Sequence, residues 1–187
     1  MWAIYLRKVL AYLRKLVARI KAILLTPQTE WKVIEGEHDT LFDLLISYVA
    51  ILAVIPELAH FIGQSFIGGY TPIVPNLLRA LVVYLVAFAM VYIIAGVIDL
   101  FAPRFGAEKN FANAVKLSAY SHTPLWLAGV FLLVPGLSFL LILGLYGFYL
   151  LWIGLPMLMK VPDEKALPYA AAVTACALIP AVMLTVI

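Results

Sequence analysis

Charge is what this sequence has least of. Of its 187 residues, 12% are charged, against about 25% in an ordinary soluble domain. The deficit is gathered into runs of about twenty residues, 65% of the chain is hydrophobic and the mean hydropathy is +1.06. The main solvent of such a chain is lipid. Cysteine occurs once, at Cys176 in an apolar run, which excludes an intrachain disulfide and leaves no metal-ligand spacing. Catalytic patterns are missing too: no phosphate-cradling glycine loop, no GxSxG and no HExxH occurs. Ser121 and His122 are neighbours in sequence, which does not aim a nucleophile at its base. The polar remainder is too short for a separate catalytic domain. These absences point away from an enzyme, a cofactor or a nucleic-acid partner.

What is there reads as an all-α membrane protein with five transmembrane helices, preceded by an amphipathic basic interfacial helix. The expected spans run from about Leu41 to Ile62, Leu77 to Phe101, Ala114 to Val134, Leu137 to Met159 and Ala166 to Ile187. Each approaches the ~20 residues that cross the hydrocarbon core. Residues 1–40 form a cytoplasmic-side unit and residues 41–187 the transmembrane domain. Spans three and four make a hairpin turning at Pro135-Gly136, with Lys116 and Lys160 near its open end.

Residues 2–25 place Leu6, Val9, Leu10, Leu13, Leu16, Val17, Ile20 and Leu24 at three- and four-residue steps. Arg7, Arg14, Lys15, Arg19 and Lys21 fall on the remaining arc. Charge spread along the whole length suits a surface helix rather than a span or a secretory signal. Two uses are open: a basic arm that packs on its own protein, or a surface for anionic lipid or a protein partner. Pro27 ends this helix and starts a short one carrying Trp31 and Ile34, with Trp31 expected at the headgroup boundary. Glu35, Glu37 and Asp39 then cap the first span or pair with the basic arm.

Orientation follows from lysine and arginine. Seven precede span one, and Arg104, Lys109, Lys116, Lys160 and Lys165 fall on the same side. The other side has only Arg79, so the amino terminus is expected in the cytoplasm and the carboxyl terminus outside a prokaryotic inner membrane. Pro56, Pro124, Pro156 and Pro180 interrupt spans and free the carbonyls of Leu52, Tyr120, Trp152 and Cys176. Gly147 and Gly154 share a face of span four and predict close packing with the alanine-rich span five.

Ionisable residues inside a membrane are functional candidates. Asp43, Asp99 and His122, with Tyr120 and Ser121, stand within about two turns of the cytoplasmic boundary. They either converge on a cavity or reach headgroup water separately, with Asp99 paired to Arg104 or Lys116. In the outer half, Glu57 and His60 share a helix face, and Arg79 is the expected partner of Glu57. One Glu-x-x-His without a second cluster is a weak metal signal, so no metal is assigned.

The ordered motifs Ala102-Pro103-Arg104-Phe105-Gly106, Ala114-Val115-Lys116-Leu117 and Ala119-Tyr120-Ser121-x-Thr123-Pro124 resemble the Yip1 family. So do Leu145-Tyr146-Gly147 through Gly154-Leu155-Pro156 to Pro162, and the preamble Pro27-x-x-x-Trp31-x-x-Ile34. The resemblance covers roughly residues 25 to 170 and implies five spans with a cytosolic amino terminus, as in short prokaryotic members. It does not explain the basic amino-terminal helix. The expected function is non-enzymatic organisation of membrane lipid or protein partners. The alternative is a small oligomeric transporter or channel using the Asp43, Asp99 and His122 group.

Overall fold

A computed structural model describes residues 2–37, 40–68 and 71–184, without the side chains of residues 3, 4 and 179–184. Asp39, Gly69, the side chain of Pro180 and the end of span five at Ile187 lie outside the described residues. All regular structure among those described is helical. The first helix, α1 (Trp2–Leu25), stops one residue before α2 (Pro27–Glu35), where Pro27 takes the first helical position. That position needs no amide donor, so the proline that ends one helix starts the next.

Among the described residues, three helices are long and apolar enough to cross a membrane: Leu41–Ile67, Ile73–Phe105 and Pro135–Leu158. The first comprises α3 (Leu41–Leu44), a π turn at Leu45–Val49, α4 (Ala50–Ile62) with Pro56 inside, and a second π turn at Gly63–Ile67. The second is α5 (Ile73–Phe101) with a short 3-10 end at Ala102–Phe105. Expected span three is divided into α6 (Phe111–Ser121), α7 (Thr123–Ala128) and a 3-10 stretch at Gly129–Leu133. Pro124 sits in the first turn of α7, so it breaks the run at His122 instead of kinking one helix. Expected span four starts as an eleven-residue 3-10 stretch, Pro135–Leu145, and continues as α8 (Tyr146–Leu158), which contains Pro156. The last helix is α9 (Asp163–Leu184).

Glycines fix how the helices slide against one another. A Cβ on Gly129 would lie 2.4 Å from the Pro56 Cβ, and one on Gly147 would lie 2.3 Å from the Ser121 carbonyl oxygen. At Gly154 it would meet the Trp31 indole at 2.7 Å. The glycine face of α8 therefore receives α6 and α2. α9 packs closely on α8 as expected, but away from those two glycines, and its Tyr169 hydroxyl donates to the Ile98 carbonyl of α5.

The core lies toward the end where α2 sits. Trp31, Ile34, Leu117, Leu150, Leu155, Leu158 and Tyr169 are fully buried there. Trp31 was expected at the headgroup boundary; it is instead enclosed by Gly154, Leu117 and Tyr120, because the missing Cβ at Gly154 makes room for an indole.

Candidate functional site

α1 crosses the bundle instead of running along it. At one end the Tyr12 hydroxyl donates to the Ser47 carbonyl; at the other the Tyr146 hydroxyl donates to the Leu24 carbonyl at 2.9 Å. Both anchors sit at one depth. Tyr48 bonds Thr123 at 2.7 Å and Gly147 abuts Ser121, which sets Ser47 and Tyr146 level with His122. The segment from Tyr12 to Leu24 thus spans about 18 Å at a constant level, twelve residues at ~1.5 Å each.

Three arcs follow around α1 at roughly 100° per residue. The inward arc holds Tyr12, Leu16, Arg19 and Ile23, with Leu16 and Ile23 buried. The next arc holds Leu6, Val9, Leu10, Leu13 and Val17, each between 44% and 56% exposed. Arg7, Arg14 and Lys21 line the far edge of that apolar arc, and all three are exposed. Lys15 is exposed on the opposite, polar side.

Arg19 differs from the other four cations. It forms ion pairs with Glu30 and Glu37, and its guanidinium stands 5.8 Å from the Tyr120 ring centroid. Burial by itself would lower the Arg19 pKa, but Tyr120, Glu37 and Glu30 outweigh it and hold the group above its ordinary value. Burial likewise raises the Tyr12 phenol, against a smaller opposing effect of its bond to Ser47. Arg19 is a latch between α1 and α2 and offers little to lipid or a partner.

Lys116, read from sequence as a boundary lysine, is 8% exposed and donates to the carbonyls of Ile34 and Glu37. The Ile34 carbonyl also accepts from the Glu37 amide at 3.3 Å, so the lysine adds a second donor at the end of α2 and ties down the segment that follows. Beside it is a cavity of about 40 Å³ walled by Glu37, Leu41, Leu44, Ser47, Lys116 and Tyr120. Glu35 pairs with Lys160, closing the lower edge of α2 against the end of α8.

The five inner polar candidates occupy separate settings. Asp43 is in the first turn of α3, where its amide and carboxylate bond the Thr40 hydroxyl at 3.1 and 2.6 Å. Asp99 is half-buried near the end of α5; its Oδ1 has no hydrogen-bond partner, and it pairs with neither Arg104 nor Lys116. His122 Nδ1 bonds the Ser118 carbonyl at 2.7 Å, which makes that nitrogen the protonated one. The Ser121 hydroxyl is buried without a hydrogen-bond partner. Tyr120 lies edge-on to Trp31 and Tyr48, at 6.1 and 4.7 Å between centroids. Of these five, Tyr120 alone lines the small cavity.

In the other half, Arg79 bridges two groups. Its Nη1 lies 3.2 Å from His60 Nδ1 and 3.7 Å from Glu57 Oε2. The second distance is an ion pair too long for a hydrogen bond. Asn76, one turn earlier, donates to the Phe61 carbonyl and the Ser65 hydroxyl. Among the described residues no three His, Cys, Asp or Glu side chains group as metal ligands.

Sequence reasoning passed over Tyr12, Glu30, Tyr48 and Thr123. Only Tyr12 and Glu30 left a trace: a tyrosine on the inward arc, and a glutamate seven residues before Glu37.

Comparison with known proteins gives the family. The protein named Inner membrane protein YohC, from Escherichia coli strain K12, is 28% identical over 161 residues, covering 80% of this chain and 83% of the relative. The same values hold for Inner membrane protein YohC of Escherichia coli strain CFT073. No solved structure matches the chain. The model of the Yip1 domain matches residues 21–184, nearly the whole bundle from the second half of α1 to the end of α9, and the chain belongs to the Yip1 domain family.

Proposed function

We propose that this protein is a non-enzymatic, five-span protein of the inner membrane that organises anionic lipid in the cytoplasmic leaflet through α1. The amino terminus faces the cytoplasm and the carboxyl terminus lies outside, as the lysine and arginine distribution requires. The printed name of the Escherichia coli relatives supports the same membrane.

One observation carries this reading. α1 is held across the bundle from Tyr12 to Leu24, yet it leaves Leu6, Val9, Leu10, Leu13 and Val17 uncovered beside Arg7, Arg14 and Lys21. An apolar arc with a cationic margin, fixed at one depth, fits the junction of acyl chains and phosphates. The aromatic run Tyr146, Tyr149 and Trp152 supports a boundary at the same level. Asp43, Asp99 and His122 share no cavity among those described, which leaves a transport reading without a site.

The test is lipid selectivity in proteoliposomes, read from the immobilised fraction of spin-labelled phosphatidylglycerol against phosphatidylcholine. Each cation near an anionic surface is worth about 1 kcal/mol. Replacing Arg7, Arg14 and Lys21 together with glutamine is expected to lower the selectivity by roughly tenfold. Unchanged selectivity would remove the proposal.

A further inference from the structure

We infer that the protein holds one anionic phospholipid at a defined site, with a single acyl chain lying in the groove between α7 and the Pro135–Leu145 stretch and the phosphate at Lys21. The inference rests on the reading of α1 as an interfacial helix and adds a discrete site to it. The groove has a volume of about 440 Å³, within the range of ordinary ligand sites. Leu127, Ala128, Phe131 and Leu143 form its apolar walls, and Leu24 and Tyr146 flank its lower end. The wall from Pro124 to Phe131 rises about 12 Å, four residues at α rise and three at 3-10 rise.

Several features select a lipid chain as the occupant. The walls are apolar, and the groove lies above the level at which α1 crosses the bundle, so only hydrocarbon reaches it. Its lower end opens where α1 ends. Lys21 is exposed one turn before Leu24 and on the same side of the helix, since residues three apart are neighbours on a helix surface. A chain that passes Leu24 therefore leaves its headgroup within reach of a free cation. The end of α1 would otherwise repel a phosphate, because its last carbonyls carry negative charge. Two of those carbonyls are occupied: Ala22 accepts from the Thr26 amide at 2.8 Å and the Thr26 hydroxyl at 3.1 Å, and Leu24 accepts from Tyr146.

The 3-10 geometry makes the space. Stretching Pro135–Leu145 at ~2.0 Å per residue thins that strand of the hairpin relative to an α-helix. Gly144 then approaches Leu125 so closely that a Cβ would lie 2.7 Å from its side chain.

The test uses the full chain in vesicles carrying phosphatidylglycerol or phosphatidylcholine with the same photoactivatable acyl chain, and maps the cross-linked residues. Phosphatidylglycerol is expected to label Leu127 to Phe131 and Leu143 at least about fivefold more than Leu81 and Leu85, exposed positions on α5. Lys21→Glu should abolish that excess. Leu143→Trp, at a site already half exposed, should also abolish it while leaving the spin-label selectivity of α1 intact. Equal labelling of groove and α5 positions, or equal labelling by the two lipids, would overturn the site. If selectivity survives in the first case, only the groove has failed. If Arg7, Arg14 and Lys21 are also without effect on selectivity, the interfacial reading has failed as well.

Discussion

The two ends of this bundle are built on different terms. At the end that holds α2, side chains are sealed against one another: Trp31 fills the notch at Gly154, Arg19 joins α1 to α2, and Lys116 donates to the Ile34 and Glu37 carbonyls. At the opposite end, Pro135–Leu145 contains no buried residue, and Phe139, Ile142 and Leu145 are each more than 60% exposed. Polar groups do occur there, but they are few and local, as in the Arg79 bridge to His60 and Glu57. The difference follows from the solvent. Near water, apolar burial and charge pairing specify a unique arrangement. In hydrocarbon, burying one more leucine gains little, so helices are held by close approach at small residues and by backbone hydrogen bonds.

Substitutions can break or sharpen this contrast. The largest effect is expected at the notch. Trp31→Ala should cost about 3–5 kcal/mol and lower the thermal midpoint of the purified protein in detergent. Gly154→Val should match it, since the indole has no room to move past α6. A small shift for both would mean that the end holding α2 is not the rigid one.

Next comes the latch. Arg19→Ala leaves Glu30 and Glu37 partly buried without their cation, an expected loss of about 3 kcal/mol. It should also free α1, measured as faster proteolysis after Leu25. Lys116→Met comes third, because it removes a donor from the Ile34 and Glu37 carbonyls, at about 1–3 kcal/mol. The least is expected from Phe139→Ala in the outer hairpin and Lys160→Ala at the exposed Glu35 pair, each below about 1 kcal/mol. A large effect of Phe139→Ala would erase the contrast, since that ring is 66% exposed.

Much of the architecture is legible in the residues. Pro27 marks the boundary between α1 and α2, and the apolar runs mark the long helices Leu41–Ile67, Ile73–Phe105 and Pro135–Leu158. The helical period of α1 shows an apolar face and a charged one. It does not show that the apolar face divides in two, one part on protein and one uncovered, because that depends on Ser47 and Tyr146 standing at one level. Nor does the period distinguish Arg19 from Arg14. That requires Glu30 and Glu37 beneath one turn of α1, a contact across eleven and eighteen residues. Trp31 misled for the same reason: a tryptophan near a membrane boundary suits the headgroups until a glycine in a distant helix offers it a slot. The separation of Asp43, Asp99 and His122 was likewise invisible, since nearness to a boundary in sequence does not fix azimuth around a bundle.

The central claim is that α1 lies at the membrane surface with one arc in acyl chains. Nitroxide labels placed singly at Leu13 and Ala18 test it most directly, by their relative accessibility to oxygen and to a water-soluble nickel chelate in proteoliposomes. The account predicts that Leu13 meets oxygen and is shielded from nickel, while Ala18, on the charged arc, meets nickel. Equal exposure of both positions to nickel would show that α1 stands free in water and would contradict it.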